Sequence, residues 1–411
     1  MNVLMGLVGI VTLLAIAILL SENRKAINLR TVIVAFVIQA SLGAFVLYIP
    51  AGQSILSSIA GGVQAVIDSA QAGLSFLFGG LVSDDMFKVF GGGGFVFALR
   101  VLPIIIFFSS FIAVLYYLGI MQKVISVVGG LLQKALGTSK TESLSATANV
   151  FVGQTEAPLI VRPYIAGMTR SELFAVMVGG LASVAGSVLA GYASLGIELK
   201  YLVAASFMAA PGGLLMAKLI VPETKQVNNE LTTEEVEEKP ANVIDAAATG
   251  AASGLQLALN VGAMLLAFIG LIALLNSMVG YGASLLGYDG ITIQLILGYI
   301  FSPLAFLIGV PWNEAITAGS FIGQKLVVNE FVAYVDFMSL KDTLSPHTQA
   351  IVTFALCGFA NLSSIAILLG GLGAMAPSRR KEIATLGLKA VAAGSLSNLM
   401  SATIAGLFLS L

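Results

Sequence analysis

The chain has 411 residues, of which 58% are hydrophobic and only 10% charged, and its mean hydropathy is +0.98. A water-soluble domain carries about 25% charged residues, so 20 basic and 21 acidic side chains cannot cover a globule of this size, and the chain is read as solvated by lipid. A net charge of −1 provides no basic stripe for nucleic acid, while a single cysteine, Cys357, and a single histidine, His347, exclude internal disulfides and multi-cysteine or multi-histidine metal sites.

A helix needs about 20 apolar residues to cross a hydrocarbon core of roughly 30 Å. Its backbone must satisfy its own hydrogen bonds in lipid, so apolar runs of that length predict helices. The first run, 3–20, lacks the basic start and small-residue cleavage site of a signal peptide and is read as a retained span. The second is 31–50. Residues 51–78 are weakly apolar and suit an interfacial helix, with a packed core helix as the alternative. Gly91-Gly92-Gly93-Gly94 reads as a linker, because no Lys-Ser/Thr follows it as in a phosphate-binding loop. A span over 101–122 comes next.

Residues 141–172 hold Glu156 and Arg162 in sequence broken by Gly153, Pro158, Pro163 and Gly167, which predicts two half-helices meeting at Gly153-Gln154-Thr155. Spans follow at 173–197 and 201–217. The acidic stretch 223–238 reads as a solvated loop. Further apolar runs occupy 246–288, 290–313, 343–378 and 390–411. Cys357 reads as a buried packing residue, and His347, after Ser345-Pro346, as a solvated loop residue. An intramembrane hydrolase would need a nucleophile with a partner base, and no catalytic residue is assigned. Arg24, Lys25 and Arg30, with Arg379, Arg380 and Lys381, mark the cytoplasmic side and place both termini outside.

The two halves echo each other. Phe151-Val152-Gly153-Gln154 matches Phe321-Ile322-Gly323-Gln324, each followed by an acidic residue, Glu156 and Glu330, and Gly180 to Ser183 matches Gly358 to Asn361. Interrupted segments at corresponding positions of two halves point to a transporter binding site. Ionisable groups within a membrane cost about 2.5–3.5 kcal/mol on insertion scales, which directs attention to Glu156 and Glu330; pairing with Arg162 or Lys325, or capping a half-helix, is the structural alternative. Asn361 and Ser364, three apart, are expected on one helix face. Beside Phe359 they suit a hydroxylated ring compound, and Asn149, Ser183 and free carbonyls near Val152 suit a hard cation.

Gly153-Gln154-Thr155-Glu156-Ala157-Pro158, Val310-Pro311-Trp312-Asn313-Glu314-Ala315, the run from Gly319 to Lys325, Asn329-Glu330-Phe331-Val332-Ala333-Tyr334 and Cys357-Gly358-Phe359-Ala360-Asn361 together resemble the bacterial branch of the concentrative nucleoside transporters. The resemblance spans nearly the whole chain. It implies an all-α polytopic membrane protein with about eight transmembrane helices, two oppositely oriented re-entrant hairpins near 124–172 and 292–340, interfacial helices and an inverted repeat. The parts expected are 1–122, mainly scaffold; 123–220, first hairpin and following spans; 221–245, an acidic cytoplasmic loop; 246–291, a scaffold span and connector; and 292–411, second hairpin, following spans and final helix. By resemblance Gln154, Thr155, Glu156 and Val188 face a nucleobase, Glu330, Asn361 and Ser364 hold ribose hydroxyls, and Phe359 packs near the base. The sodium positions are Asn149, Val152, Ser183 and Val184, the valines through their carbonyls. A homotrimer in the bacterial inner membrane is implied, importing uridine, other pyrimidine nucleosides and adenosine by an elevator motion, with sodium as coupling ion and no other cofactor. Proton coupling is the alternative.

Overall fold

A computed structural model describes residues 2–83, 85–90, 95–226 and 240–411, which are helical with no strand. The glycine linker at 91–94 and residues 227–239 of the acidic loop lie outside the described residues. Among the described residues seven helical stretches are long and apolar enough to cross a bilayer, and eight when a pair bent by 115° is taken as one.

The N-terminal part begins with α1 (Asn2–Leu19) and α2 (Leu29–Leu47), where Asn28 accepts from the amides of Arg30 and Thr31 and so starts α2. Next is α3 (Pro50–Phe78), with proline in its first turn and a buried stripe of Leu56, Ala60, Ile67, Ala70 and Leu74 at helical spacing. Short α4 (Asp85–Phe90) and α5 (Phe97–Arg100) lead into α6 (Leu102–Tyr117). An amphipathic α7 (Ile120–Leu136) ends at Gly137, whose φ of 69° is left-handed.

Two capping boxes then set two helix starts. Ser139 and Glu142 open α8 (Lys140–Ala148), and Thr169 and Glu172 open α10 (Arg170–Ala182), with the short α9 (Arg162–Ile165) between them. Thr141 donates to Glu172 at 3.1 Å, tying the two starts together. Lys218, near the end of α12 (Leu199–Ile220), pairs with Glu142 and donates to Ser171 at 2.8 Å. These buried charges are therefore partnered, as low-dielectric surroundings require.

The chain continues through α11 (Gly186–Ser194), which precedes α12, and then α13 (Val243–Ser284), 42 residues and about 63 Å long at 1.5 Å per residue. Gly250 and Gly254 of α13 meet Ser109, Ser110 and Ala113 of α6, so that two peripheral helices run closely side by side. The second half comprises α14 (Ile293–Leu307), α15 (Trp312–Val327), α16 (Glu330–Leu340), α17 (Pro346–Leu356), α18 (Ser364–Met375) and α19 (Arg380–Leu409). The pair α14 and α15 makes the 115° bend. Helices α10, α12 and α19 are almost wholly buried, whereas α3, α6 and α13 keep most of their surface outside the fold.

Several expectations change. The runs 173–197 and 343–378 are each two helices, broken at residues 183–185 and 357–363, because Ser183 and Ala185 are extended and the Gly186 amide donates to the Phe151 carbonyl instead of continuing a helix. Apolarity alone could not reveal this, since both broken runs are buried in protein. Asn361 is not on a helix face with Ser364: it lies in the break, and its Oδ1 accepts from the Ser364 amide at 2.9 Å. His347 is not a solvated loop residue. It sits in the first turn of α17, half-buried, with Nε2 3.0 Å from the Gly406 carbonyl and 2.9 Å from Ser410 Oγ. Cys357 is buried, as its apolar setting suggests.

The repeat is half correct. Gly180 to Ala182 close α10 and Ser183 opens its break, and Gly358 to Asn361 lie within the break after α17. Phe151 to Gln154, however, is an irregular turn, whereas Phe321 to Gln324 lies inside α15, and Gln324 donates to Ser320 and Asp336. The reversal between α15 and α16 comes instead at Val328-Asn329, beyond Gln324.

Candidate functional site

The turn between α8 and the 3-10 segment Ala157–Val161 forms one tip, and the reversal between α15 and α16 forms another. The two helix breaks lie between these tips, and the Phe359 amide of one break donates to the Ser183 carbonyl of the other at 3.1 Å. Around this meeting point is a cavity of about 120 Å³. Its lining includes every residue expected at a nucleoside: Gln154, Thr155, Glu156, Val188, Glu330, Phe359, Asn361 and Ser364.

Glu330 is the best-held of these. It occupies the first turn of α16, whose N-terminal dipole favours a carboxylate, and Asn329 caps the same helix by accepting from the Val332 amide at 2.9 Å. Tyr192 donates to one carboxylate oxygen and the Asn361 amide to the other, each at 3.0 Å. Each oxygen thus has one protein donor and retains capacity for another. Ser363 donates to Asn361 Oδ1 at 2.7 Å, fixing the amide orientation, and Ser364 donates to the Phe359 carbonyl.

The first tip is less constrained. The Gln154 side-chain oxygen is buried with no hydrogen-bond partner. Glu156 is the exposed member, open to the cavity and folded back over Gly153, where a Cβ would overlap its carboxylate. Neither glutamate forms an ion pair with Arg162 or Lys325: Lys325 gives its ammonium to the Ala355 carbonyl and to Asn398, both at 2.7 Å.

Beside the first tip, Asn149 packs on Gly179 and Gly180, and Ser183 donates to the Gly179 carbonyl at 2.9 Å, so both side chains meet the last turn of α10. Asn149 donates to the Ser145 carbonyl, but its own Oδ1 is buried and unpartnered. No backbone amide among the described residues outside the regular helix ladders donates to the Val152 or Val184 carbonyl. Unfilled neutral oxygens in a buried spot fit a hard cation rather than a transition metal. No group of three His, Cys, Asp or Glu able to hold a metal occurs among the described residues.

Tyr192 escaped the sequence reading, since a tyrosine in an apolar run resembles core. It is fully buried, with ring centroids 4.7 Å from Phe331 and 4.6 Å from Tyr334. Leu257, Val261, Met264 and Leu265 of α13 were also missed. They form an apolar cavity wall, and nothing in a uniform apolar stretch distinguishes the face that meets a solute.

Three family signatures cover most of the chain: the C-terminus of Na+ dependent nucleoside transporters over residues 201–406, their N-terminus over 8–81, and a nucleoside recognition gate over 98–198. The nucleoside permease NupC of Helicobacter pylori is 53% identical, over 99% of this chain and 98% of its own. The solved structure of CNTnw in an inward-facing substrate-bound state is 63% identical, covers 100% of this chain and 98% of that one, and superposes with a TM-score of 0.97. A CNTnw variant in an outward-facing state is 62% identical, covers 100% and 99%, and gives 0.98. These relatives are transporters and permeases, not enzymes. With two broken helices and two hairpin tips around a cavity that sets a few polar side chains against an apolar wall, inside an apolar, multi-pass helical body, the chain belongs to the concentrative nucleoside transporter family.

Proposed function

We propose that the protein is a sodium-coupled symporter that imports nucleosides, uridine and other pyrimidine nucleosides first and adenosine next. The observation that carries this reading is Glu330, whose two oxygens are each held by one donor and each left one site to offer. Adjacent ribose hydroxyls are the natural complement of such a carboxylate. Asn361 and Ser364 extend the hydroxyl-binding side, while Gln154, Thr155, Glu156, Val188 and Phe359 supply amide, hydroxyl, carboxylate and apolar surfaces for a base. Among the described residues no arginine or lysine lines the cavity, which disfavours phosphorylated substrates.

The coupling ion is assigned to Asn149, Ser183 and the carbonyls of Val152 and Val184, supported by the unpartnered Asn149 oxygen. One sodium ion crossing roughly 100 mV contributes about 2.3 kcal/mol, or about fifty-fold accumulation. The reading includes elevator-type alternating access, a homotrimer, and the bacterial inner membrane with both termini periplasmic. The exposed apolar lengths of α3 and α13 support lipid or subunit contact for these helices.

Uptake of labelled uridine into proteoliposomes, with and without a sodium gradient at fixed pH, tests the function. Sodium-driven accumulation is expected. Uptake indifferent to sodium and driven by external acid would establish proton coupling instead, and equilibration without accumulation would make the protein a passive pore.

A further inference from the structure

Lys325 and Asn398 lie outside the nucleoside cavity and outside the four cation positions, yet both are almost fully buried, at 2% exposure each. The Lys325 ammonium donates to the Ala355 carbonyl near the end of α17 and to Asn398 Oδ1, both at 2.7 Å. The Asn398 amide nitrogen, on α19, spends both hydrogens on helix ends: the Ala182 carbonyl closing α10 at 2.7 Å and the Cys357 carbonyl closing α17 at 2.9 Å. Ala182 adjoins Ser183 and Val184 of the cation positions, and Lys325 lies on the arm of the hairpin that carries Glu330. Two backbone bonds reinforce this link. The Phe359 amide donates to the Ser183 carbonyl, and the Leu362 amide donates to the Leu326 carbonyl, each at 3.1 Å.

We propose that Lys325 and Asn398 are the positioning residues that transmit cation occupancy at the first helix break to the nucleoside-holding hairpin; this rests on the sodium-symport reading above. A cation drawing in the Val184 carbonyl and the Ser183 side chain moves the end of α10, and Asn398 must follow or lose its bond to Ala182. Gly358 leaves no spare room, because a Cβ there would overlap the Asn398 carboxamide. The Lys325 side chain joins Asn398 to the hairpin arm directly, and its flexible stem is restrained by burial and by two short bonds from its ammonium. In low dielectric a broken bond would strand a buried ammonium or amide, so the helix ends and the hairpin arm move together. A coupling free energy needs such a shared element biased by both ligands.

The test uses the full-length purified chain and measures uridine affinity in sodium and in choline. The wild type is expected to bind uridine more tightly in sodium, by a factor within the ordinary coupling range of about 5- to 150-fold. In Asn398→Ala that ratio falls toward one, with the loss falling on the sodium-bound affinity rather than the choline value. Asn398→Asp, nearly isosteric, keeps an acceptor for Lys325 but loses the amide donors to Ala182 and Cys357. It is expected to lose the ratio too, and it decides the matter should the alanine variant not fold. A folded aspartate variant, judged by thermal unfolding, with the wild-type ratio overturns the inference alone. A wild-type ratio of one overturns the sodium reading and this inference with it.

Discussion

The two tips of the cavity differ in how their polar groups are satisfied. At the second, the polar side chains that line the cavity have protein partners: Glu330 is held by Tyr192 and Asn361, and Asn361 by Ser363 and the Ser364 amide, while the buried oxygen of Gln324, further along α15 and outside the cavity lining, has no partner among the described residues. At the first, the Asn149 and Gln154 oxygens are buried without partners among the described residues, and the Val152 and Val184 carbonyls accept from no backbone amide there outside the regular helix ladders. An unpaired buried polar group costs about 1–3 kcal/mol, so the first tip has bonds to gain from a ligand. The second is pre-organised to receive one. The difference separates a place where binding adds bonds from a place where binding uses bonds already aligned.

Glu330→Gln is the largest way to break that comparison. The substitution keeps the shape but removes the charge and replaces one acceptor oxygen with an amide donor, which then faces Tyr192 or Asn361 wrongly. Hydrogen bonds to charged groups are worth about 1.5–3 kcal/mol each, and two are at stake with a ribose, so uridine uptake efficiency should fall by about 100-fold or more. Initial-rate uptake measured beside thermal stability checks it. Wild-type transport by this variant would remove Glu330 from the site.

A second substitution sharpens the contrast. Asn149→Ala removes an oxygen that no protein group uses, at the cost of one amide bond to the Ser145 carbonyl. The stability loss should stay near 1 kcal/mol, while apparent sodium affinity for driving uridine uptake weakens by about tenfold. Asn361→Ala, by comparison, strands Glu330 and the Ser364 amide and should destabilise the fold by about 1–3 kcal/mol more than Asn149→Ala does. Thermal melts of both variants with and without sodium decide this. Equal destabilisation, or a sodium response unchanged in Asn149→Ala, would erase the distinction between the tips.

How much of this was legible in the sequence follows from the same contrast. The broken segment at Gly153-Gln154-Thr155 was visible because glycine and proline interrupt apolar sequence there, and Glu330 and Asn361 because polar side chains in apolar runs need a reason. The break after Ala182 was hidden: Ser183 and Gly186 are unremarkable in a membrane helix, and only the Phe151 carbonyl meeting the Gly186 amide explains the stop. Tyr192 and the α13 wall were hidden for the opposite reason, since they look like ordinary apolar packing. The Gln154–Gln324 echo misled because a four-residue match carries no register, and one glutamine is on a tip while the other is in a helix.

The smallest predicted effect concerns a charge cluster away from both tips, and it separates two sources of pH dependence. Between α1 and α2, Glu22 accepts from Arg170 at 2.9 and 3.0 Å and from Lys389 at 2.7 Å. The Arg170 guanidinium, with Lys389 beside it, holds the Glu22 carboxyl down at about 2, against an ordinary 4.5. A carboxyl depressed in the folded state contributes stability that is complete above 4.5 and lost as pH falls from there toward 2. The group is partly exposed, so the contribution is at most about 1 kcal/mol. The melting-temperature gap between wild type and Glu22→Gln should therefore be small and constant from pH 8 to pH 5, then close toward pH 3. Over that upper range the two proteins should also share one uptake–pH profile. Because Glu22 stays ionised throughout it, any acid dependence of transport above pH 5 must arise elsewhere, and the open carboxylate of Glu156 at the first tip becomes the group to examine. A gap that closes already near pH 6 would assign the acid response to the Glu22 cluster and remove that argument.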